Sequence, residues 1–129
     1  MKPLCIIDVQ HYFMLPHYSW YNKVVSGLQQ LIRRQIKNKS PILLVEFDDK
    51  SYGRTIPPIL DALGDYKYHL VLKDDRSGGY EIEKVVRQHH YNKHVSVAGV
   101  NYHQCIVATV DTLVRLQFKV DVYKNVSNV

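Results

Sequence analysis

The sequence predicts an α/β protein built on a parallel sheet that is covered by helices on both faces. Short apolar runs rich in β-branched residues, which are typical of buried strands, recur along the 129 residues. The segments between these runs carry apolar residues at spacings of three and four, as in helices that pack one face on a sheet. Strands that alternate with helices form right-handed βαβ units, and such units give a parallel sheet.

We expect five strands and four helices in alternation. The first strand, residues 4–9, is a continuous apolar run that includes Asp8 near its end. The other strands are predicted at residues 42–47, 69–72, 95–98 and 118–122, and the helices at residues 20–37, 57–63, 81–90 and 105–116. Pro57 and Pro58 suit the first turn of the second helix, and Gly64 suits its end. No repeat or linker divides the chain, so one domain spanning residues 1–129 is expected.

The composition is that of an ordinary globular protein, with 46% apolar and 22% charged residues. No run of 18 apolar residues indicates a membrane helix, so no membrane partner is expected. The beginning of the chain does not have the pattern of an export signal, and this favours the reducing cytoplasm for a chain with two cysteines. The net charge is +5. The one basic cluster, residues 33–39, lies at a helix end where it complements the dipole, so we expect no nucleic-acid partner.

Three reactive side chains follow predicted strands: Asp8, Lys73 and Cys105. Ligands of parallel sheets bind beyond the carboxyl ends of the strands, so these groups are expected to meet there. A carboxylate can take the thiol proton, and a nearby ammonium lowers a thiol pKa, as does the helix start that we expect near Cys105. Structural roles remain open, because Asp8 could bond turn amides and Cys105 could be a small buried hydrophobe.

Three motifs resemble those of the isochorismatase-like cysteine hydrolases. Residues 5–10, CIIDVQ, together with Phe13 resemble the opening strand of that family, IDxQNDF, although His11 and Tyr12 replace its Asn-Asp. Lys73 and Ser77 resemble its K-x-x-x-S segment. Residues 99–109, GVNYHQCIVAT, resemble its G-V-x-x-x-x-C-V-x-x-T segment. The resemblance spans nearly the whole chain in the right order.

The resemblance implies a three-layer Rossmann-like sheet of five strands in the order 3-2-1-4-5, without the usual C-terminal strand and helix of the family. It implies that Asp8 is the general base and acid, that Lys73 is its charge partner, and that Cys105 is the nucleophile that forms a thioester. The cis peptide of the family would fall between Val100 and Asn101.

The resemblance also implies the surroundings of the reaction centre. The backbone N–H groups of Asn101 and Cys105 would form the oxyanion hole. Gln10 and Phe13 match positions of the substrate pocket, and we expect Tyr102 to line it too. Members that hold a metal carry histidines after the second strand, and this chain has none between its second strand and His69, so no metal and no other cofactor are expected.

Two functions stay open. The first is hydrolysis of the C–N bond of a small-molecule amide by an Asp-Lys-Cys triad. The second is a catalytically inactive relative that binds a small molecule or a protein. Because a sheet that ends at the fifth strand has an exposed edge, we also expect a homo-oligomer. A disulfide between Cys5 and Cys105 is not expected, because a reactive Cys105 has to lie near Asp8, away from Cys5.

Overall fold

The computed structural model describes residues 2–128 and shows a five-stranded parallel sheet in the order β3-β2-β1-β4-β5. The strands are β1 (Leu4–Ile7), β2 (Ile42–Phe47), β3 (His69–Lys73), β4 (His94–Gly99) and β5 (Lys119–Ser127). The α-helices are α1 (Tyr21–Lys37), α2 (Pro57–Leu63), α3 (Gly79–Gln88) and α4 (Val107–Arg115). The predicted α/β class and strand order are confirmed.

Most boundaries agree with the prediction within two residues, and two differences stand out. Strand β5 continues to Ser127, beyond the predicted end at residue 122. A π-helical turn, Tyr102–Ile106, comes before α4, so Cys105 lies inside this turn instead of near the start of an α-helix. The spacing of apolar residues does not distinguish a π turn followed by an α-helix from one longer α-helix, because the π turn continues directly into the helix that follows it.

The sheet separates two apolar cores. One face of the sheet packs against α1 and α2, and the other packs against α3 and α4. Along β1, Leu4 and Ile6 face the first core while Cys5 and Ile7 face the second, and all four are buried. A strand that is covered on both faces has no polar side, which explains its continuous apolar sequence. Within residues 2–128 no helix has the length and apolar character needed to cross a membrane.

Strands β1 and β4 approach each other closely at their carboxyl ends. Gly99 has a φ of +135°, and a Cβ atom built on it would lie 2.2 Å from the carbonyl oxygen of Ile7. Only glycine fits both the backbone angle and the spacing. The close approach sets the residues that follow the two strands, Asp8 and Asn101, side by side.

We predict that Gly99→Ala strongly destabilises the protein. The added methyl group meets backbone atoms of β1 that cannot move aside, so the free energy of unfolding should fall by more than about 3 kcal/mol. Gly64→Ala is the matched control, since Gly64 also has a positive φ (+56°) but has no atom within 4 Å of the added Cβ. It should cost only the strain of a backbone conformation that side-chain-bearing residues rarely adopt, about 1–3 kcal/mol. Urea unfolding measures both values, and equal losses would contradict the role of Gly99.

Candidate active site

The structure brings Asp8 and Lys73 together at the carboxyl ends of the strands. Asp8 directly follows β1, and Lys73 is the last residue of β3. Strand β2 lies between these two strands, so the long lysine side chain spans the distance. The Nζ atom of Lys73 lies 3.3 Å from Oδ1 of Asp8, and both side chains are fully buried. A buried ion pair of this kind needs further polar partners, since desolvation of each charge costs several kcal/mol.

The Lys73 ammonium has such partners. It donates hydrogen bonds to the carbonyl oxygens of Asp75 (2.9 Å) and Arg76 (3.1 Å). Its Nζ atom also lies 3.4 Å from the centroid of the Phe47 ring. With Asp8, these contacts surround the ammonium and stabilise its charge without water.

The loop that covers Lys73 is held by helix α4. The N–H of Gly78 donates to the Thr109 hydroxyl oxygen (3.0 Å). The Ser77 and Thr112 hydroxyls lie 2.7 Å apart and form a hydrogen bond. Ser77 and Thr109 belong to the motifs that carry the family resemblance. In the structure they fix this loop over the ammonium.

Asp8 has a left-handed backbone conformation, with φ of +61°. Its Oδ2 atom accepts a hydrogen bond from Nδ2 of Asn101 (2.9 Å). Its Oδ1 atom has no hydrogen-bond donor among the described residues, because the contact with Lys73 is an ion pair without hydrogen-bond alignment. Oδ1 is therefore the atom that is available to accept a proton.

Cys105 is close enough to both charged groups for each to act on its pKa. Burial raises the pKa of the Cys105 thiol, Asp8 raises it further, and Lys73 opposes them, with a result of about 12. The ammonium lowers the pKa as expected, but the expected net decrease is not found, and Cys105 does not lie at the start of an α-helix. Desolvation and the adjacent carboxylate outweigh the ammonium. At neutral pH Cys105 is therefore a protonated thiol.

The predicted cis peptide between Val100 and Asn101 is not present, since no peptide bond in residues 2–128 is cis. Asn101 instead adopts a left-handed conformation, with φ of +57°. Asparagine tolerates this conformation well, so the chain can turn after β4 with a trans bond.

One of the two N–H groups predicted to form the oxyanion hole is occupied in this conformation. The Cys105 N–H donates to the carbonyl oxygen of Asn101 (2.8 Å). The same oxygen accepts from the N–H groups of Gln104 (3.1 Å) and Ile106 (3.3 Å). The π turn thus uses the Cys105 N–H, one of the two amides that the resemblance assigns to an oxyanion.

A cavity of about 470 Å³ opens beside Cys105. It lies between the π turn, the loop after β3 and the short turns that follow β1 and β2. Its aromatic lining residues are Phe13, Phe47, Tyr52 and Tyr102. Its polar lining residues include Asp74, Asp75, Arg76, Asn101 and Asn128. Phe13 and Tyr102 are thus placed as expected for residues of a substrate pocket.

Gln10 is placed differently from the prediction, because it is fully buried and does not line this cavity. Its amide nitrogen donates to the carbonyl oxygens of Phe47 (3.2 Å) and Gly53 (2.8 Å), and its amide oxygen accepts from the Phe47 N–H (2.8 Å). All three contacts are to backbone groups. Gln10 therefore connects the ends of β1 and β2 and is not free to contact a substrate.

Sequence reasoning missed two contributors to the site. The Asn101 side chain binds Asp8, whereas the resemblance assigns a role only to its backbone N–H. Phe47 contacts the Lys73 ammonium and lines the cavity. Phe47 could have been identified from its place at the end of a strand. The Asn101 contact depends on a left-handed turn that no local pattern signals.

Other predicted features concern metal sites and thiols. Residues 2–128 contain no group of three or more His, Cys, Asp and Glu side chains arranged to hold a metal ion.

Cys5 and Cys105 are both unpaired, so the predicted lack of a disulfide is confirmed. Burial also raises the pKa of the Cys5 thiol to about 12. Unlike Cys105, Cys5 does not line the cavity.

We predict opposite effects of the two charged residues on Cys105. Asp8→Asn should lower the pKa of the Cys105 thiol because a negative neighbour is removed, and Lys73→Met should raise it because the positive one is removed. The pH dependence of iodoacetamide labelling, with peptide mapping, measures both shifts. Cys5 is the internal control, and its labelling should remain slow in each variant. Labelling curves of Cys105 that coincide in all three proteins would contradict the contact.

No protein-family model and no curated protein matches the sequence, whereas many solved structures match the fold. An isochorismatase from Pseudomonas putida KT2440 is 16% identical with a TM-score of 0.85, and the match covers 98% of this chain and 70% of that chain. The MAR1 ribonuclease from Caenorhabditis elegans is 19% identical with a TM-score of 0.83, and the match covers 98% of this chain and 64% of that chain. The N-carbamoylsarcosine amidase from Thermoplasma acidophilum is 17% identical with a TM-score of 0.83, and the match covers 98% of this chain and 84% of that chain.

This chain therefore spans about two thirds to four fifths of the length of these structures. Identities below 20% with almost complete coverage of this chain establish a common fold and leave the reaction open. The five-stranded order and the covering helices agree with that likeness. The chain has an isochorismatase-like α/β fold.

Proposed function

We propose that the protein is a cysteine hydrolase that cleaves the C–N bond of a small amide through a thioester on Cys105. The observation that carries the proposal is the buried Asp8–Lys73 ion pair beside a thiol that lines a cavity. A buried charge pair beside a thiol is expensive as a purely structural device. The same three groups, in the same order along the chain, match the motifs of the isochorismatase-like cysteine hydrolases.

The first half of the reaction forms the thioester. Oδ1 of Asp8 takes the thiol proton while Sγ of Cys105 bonds to the amide carbon. The C–N bond then breaks, and Asp8 returns the proton to the departing nitrogen, which leaves as ammonia or an amine. Asp8 is again a carboxylate at this stage, and the acyl group is held on sulfur.

The second half releases the acid. Water gives a proton to Asp8 as its oxygen attacks the thioester carbon. The C–S bond breaks, and the sulfur recovers a proton from Asp8. Lys73 stabilises whichever of Asp8 and Cys105 carries the negative charge at each step. One water molecule is consumed, and the three side chains return to their starting states.

The cavity fits a small substrate. Its volume of about 470 Å³ lies within the usual range for small-molecule sites. Aromatic side chains on several sides, among them Phe13 and Tyr102, provide surfaces against which a flat group can pack. The proposal requires no metal and no cofactor.

We predict that Cys105→Ala abolishes ammonia release from a panel of small primary amides while leaving the fold intact. The substitution removes the only atom that can hold the acyl group and replaces one small side chain by another. Ammonia is measured by a coupled assay, and circular dichroism monitors the fold. Cys5→Ala is the matched control, because it removes the other buried thiol and should keep activity. Equal activity in Cys105→Ala and the parent protein would exclude the thioester route.

One observation favours the second candidate function, a relative that binds a ligand without turnover. The Cys105 N–H is bonded to the Asn101 carbonyl oxygen and is not free for an oxyanion. An acyl-transfer enzyme usually needs such a donor. A protein that binds a panel amide in calorimetry, yet releases no ammonia from it and forms no thioester by mass spectrometry, would support this candidate.

We also propose that the protein forms a homo-oligomer in the cytoplasm. The expectation rested on an open edge at β5. The structure offers further support at the opposite edge, where Leu70 and Leu72 of β3 are 42% and 45% exposed. Apolar side chains along an edge strand favour pairing with a second copy. Light scattering during gel filtration would give the mass, and Leu72→Lys should lower it if β3 carries the contact.

A further inference from the structure

Asn101 contacts both reacting groups of the proposed triad through different atoms. Its side-chain nitrogen Nδ2 donates to Oδ2 of Asp8 at 2.9 Å. Its carbonyl oxygen accepts the N–H of Cys105 at 2.8 Å. Asn101 thus lies between the carboxylate and the residue that bears the thiol.

The side-chain contact determines how the Asp8 carboxylate is oriented. Among the described residues, Oδ2 receives a hydrogen bond and Oδ1 does not. A hydrogen bond to a carboxylate is stronger than one between neutral groups, so it holds the group against rotation. With Oδ2 held by Asn101, the unbonded Oδ1 remains beside Lys73 and available to the thiol.

We propose that Asn101 is a positioning residue that holds Asp8 with Oδ1 directed at the Cys105 thiol. This inference rests on the proposed cysteine hydrolase function. It assigns Asn101 a task for its side chain, distinct from the backbone N–H that the resemblance would place in an oxyanion hole. Loss of the side chain should slow proton transfer to and from Asp8 and leave the thiol itself in place.

The backbone of Asn101 makes a specific test possible. Its φ of +57° is a conformation that glycine adopts readily. Asn101→Gly therefore removes the Nδ2 donor while the turn and its carbonyl contacts can persist. Asn101→Asp is a second variant, which keeps the tolerance for this φ but replaces the donor by an acceptor that repels Asp8. Lys39→Gly is the matched control, since Lys39 has a φ of +53° and is exposed.

The probe is p-nitrophenyl acetate, an activated ester that can acylate a reactive thiol and release p-nitrophenolate. The parent protein should show an initial burst followed by steady turnover, with the acetyl group mapped to Cys105. Asn101→Gly and Asn101→Asp should slow both phases at least tenfold while the burst amplitude per protein molecule stays the same. A merely structural role would instead lower the amplitude, because fewer molecules would be competent. Lys39→Gly should match the parent protein.

A double variant shows whether Asn101 acts through Asp8. Adding Asn101→Gly to Asp8→Asn should cause no further loss of rate, because the group that Asn101 positions is already disabled. If the double variant is slower than Asp8→Asn by the factor that Asn101→Gly alone causes, the proposal is overturned. The Nδ2 amide resonance of Asn101 should also move upfield in Asp8→Asn, since its partner loses the negative charge.

The burst experiment distinguishes failure of the positioning role of Asn101 from failure of the hydrolase function. If the parent protein shows a burst at Cys105 and Asn101→Gly retains its rates within twofold, the positioning role is overturned and the hydrolase function stands. If the parent protein shows no burst and Cys105 is not acylated, the hydrolase function fails and the positioning role fails with it.

Discussion

The buried ion pair between Asp8 and Lys73 is the interaction on which the rest of the site depends. Neither side chain has access to water, so the protein itself has to supply every partner that water would have supplied. The pair is possible because β1 ends beside β2 and β3 ends one strand further along the sheet. The carboxyl ends of parallel strands meet at one edge, and a lysine is long enough to reach over the strand between them.

The surroundings of the pair follow from this requirement. The loop after β3 turns back so that the carbonyl oxygens of Asp75 and Arg76 accept from the ammonium, and helix α4 holds the loop through Thr109. Gln10 fixes the backbone of β2 at Phe47, whose ring lies against the ammonium. Residues that look like separate motif positions in the sequence therefore share one task, the enclosure of a single positive charge.

The sequence was sufficient to predict the α/β class and the strands, because both follow from the spacing of apolar residues. It also predicted that Asp8 and Lys73 converge, because both lie at the carboxyl ends of parallel strands. The strand order came from the family resemblance. The electrostatic state of Cys105 could not be predicted, because burial and a carboxylate on another strand outweigh the local effect of a helix start. The turn at Asn101 could not be predicted either, since a single left-handed residue just before a π turn leaves no periodic signal.

The raised pKa of Cys105 is consistent with the proposed chemistry once the whole group of charges is considered. At rest the site holds a carboxylate, an ammonium and a neutral thiol, whose charges sum to zero. Transfer of the thiol proton to Asp8 gives a neutral acid, the same ammonium and a thiolate, and the sum is again zero. A buried group of charges resists any change in its net charge, but it permits a negative charge to move between two atoms that face the same cation. A free thiolate beside a charged Asp8 would instead add an unpaired buried charge. The buried Lys73 stabilises both arrangements, and for that reason the site can use a thiol that is neutral until its base accepts the proton.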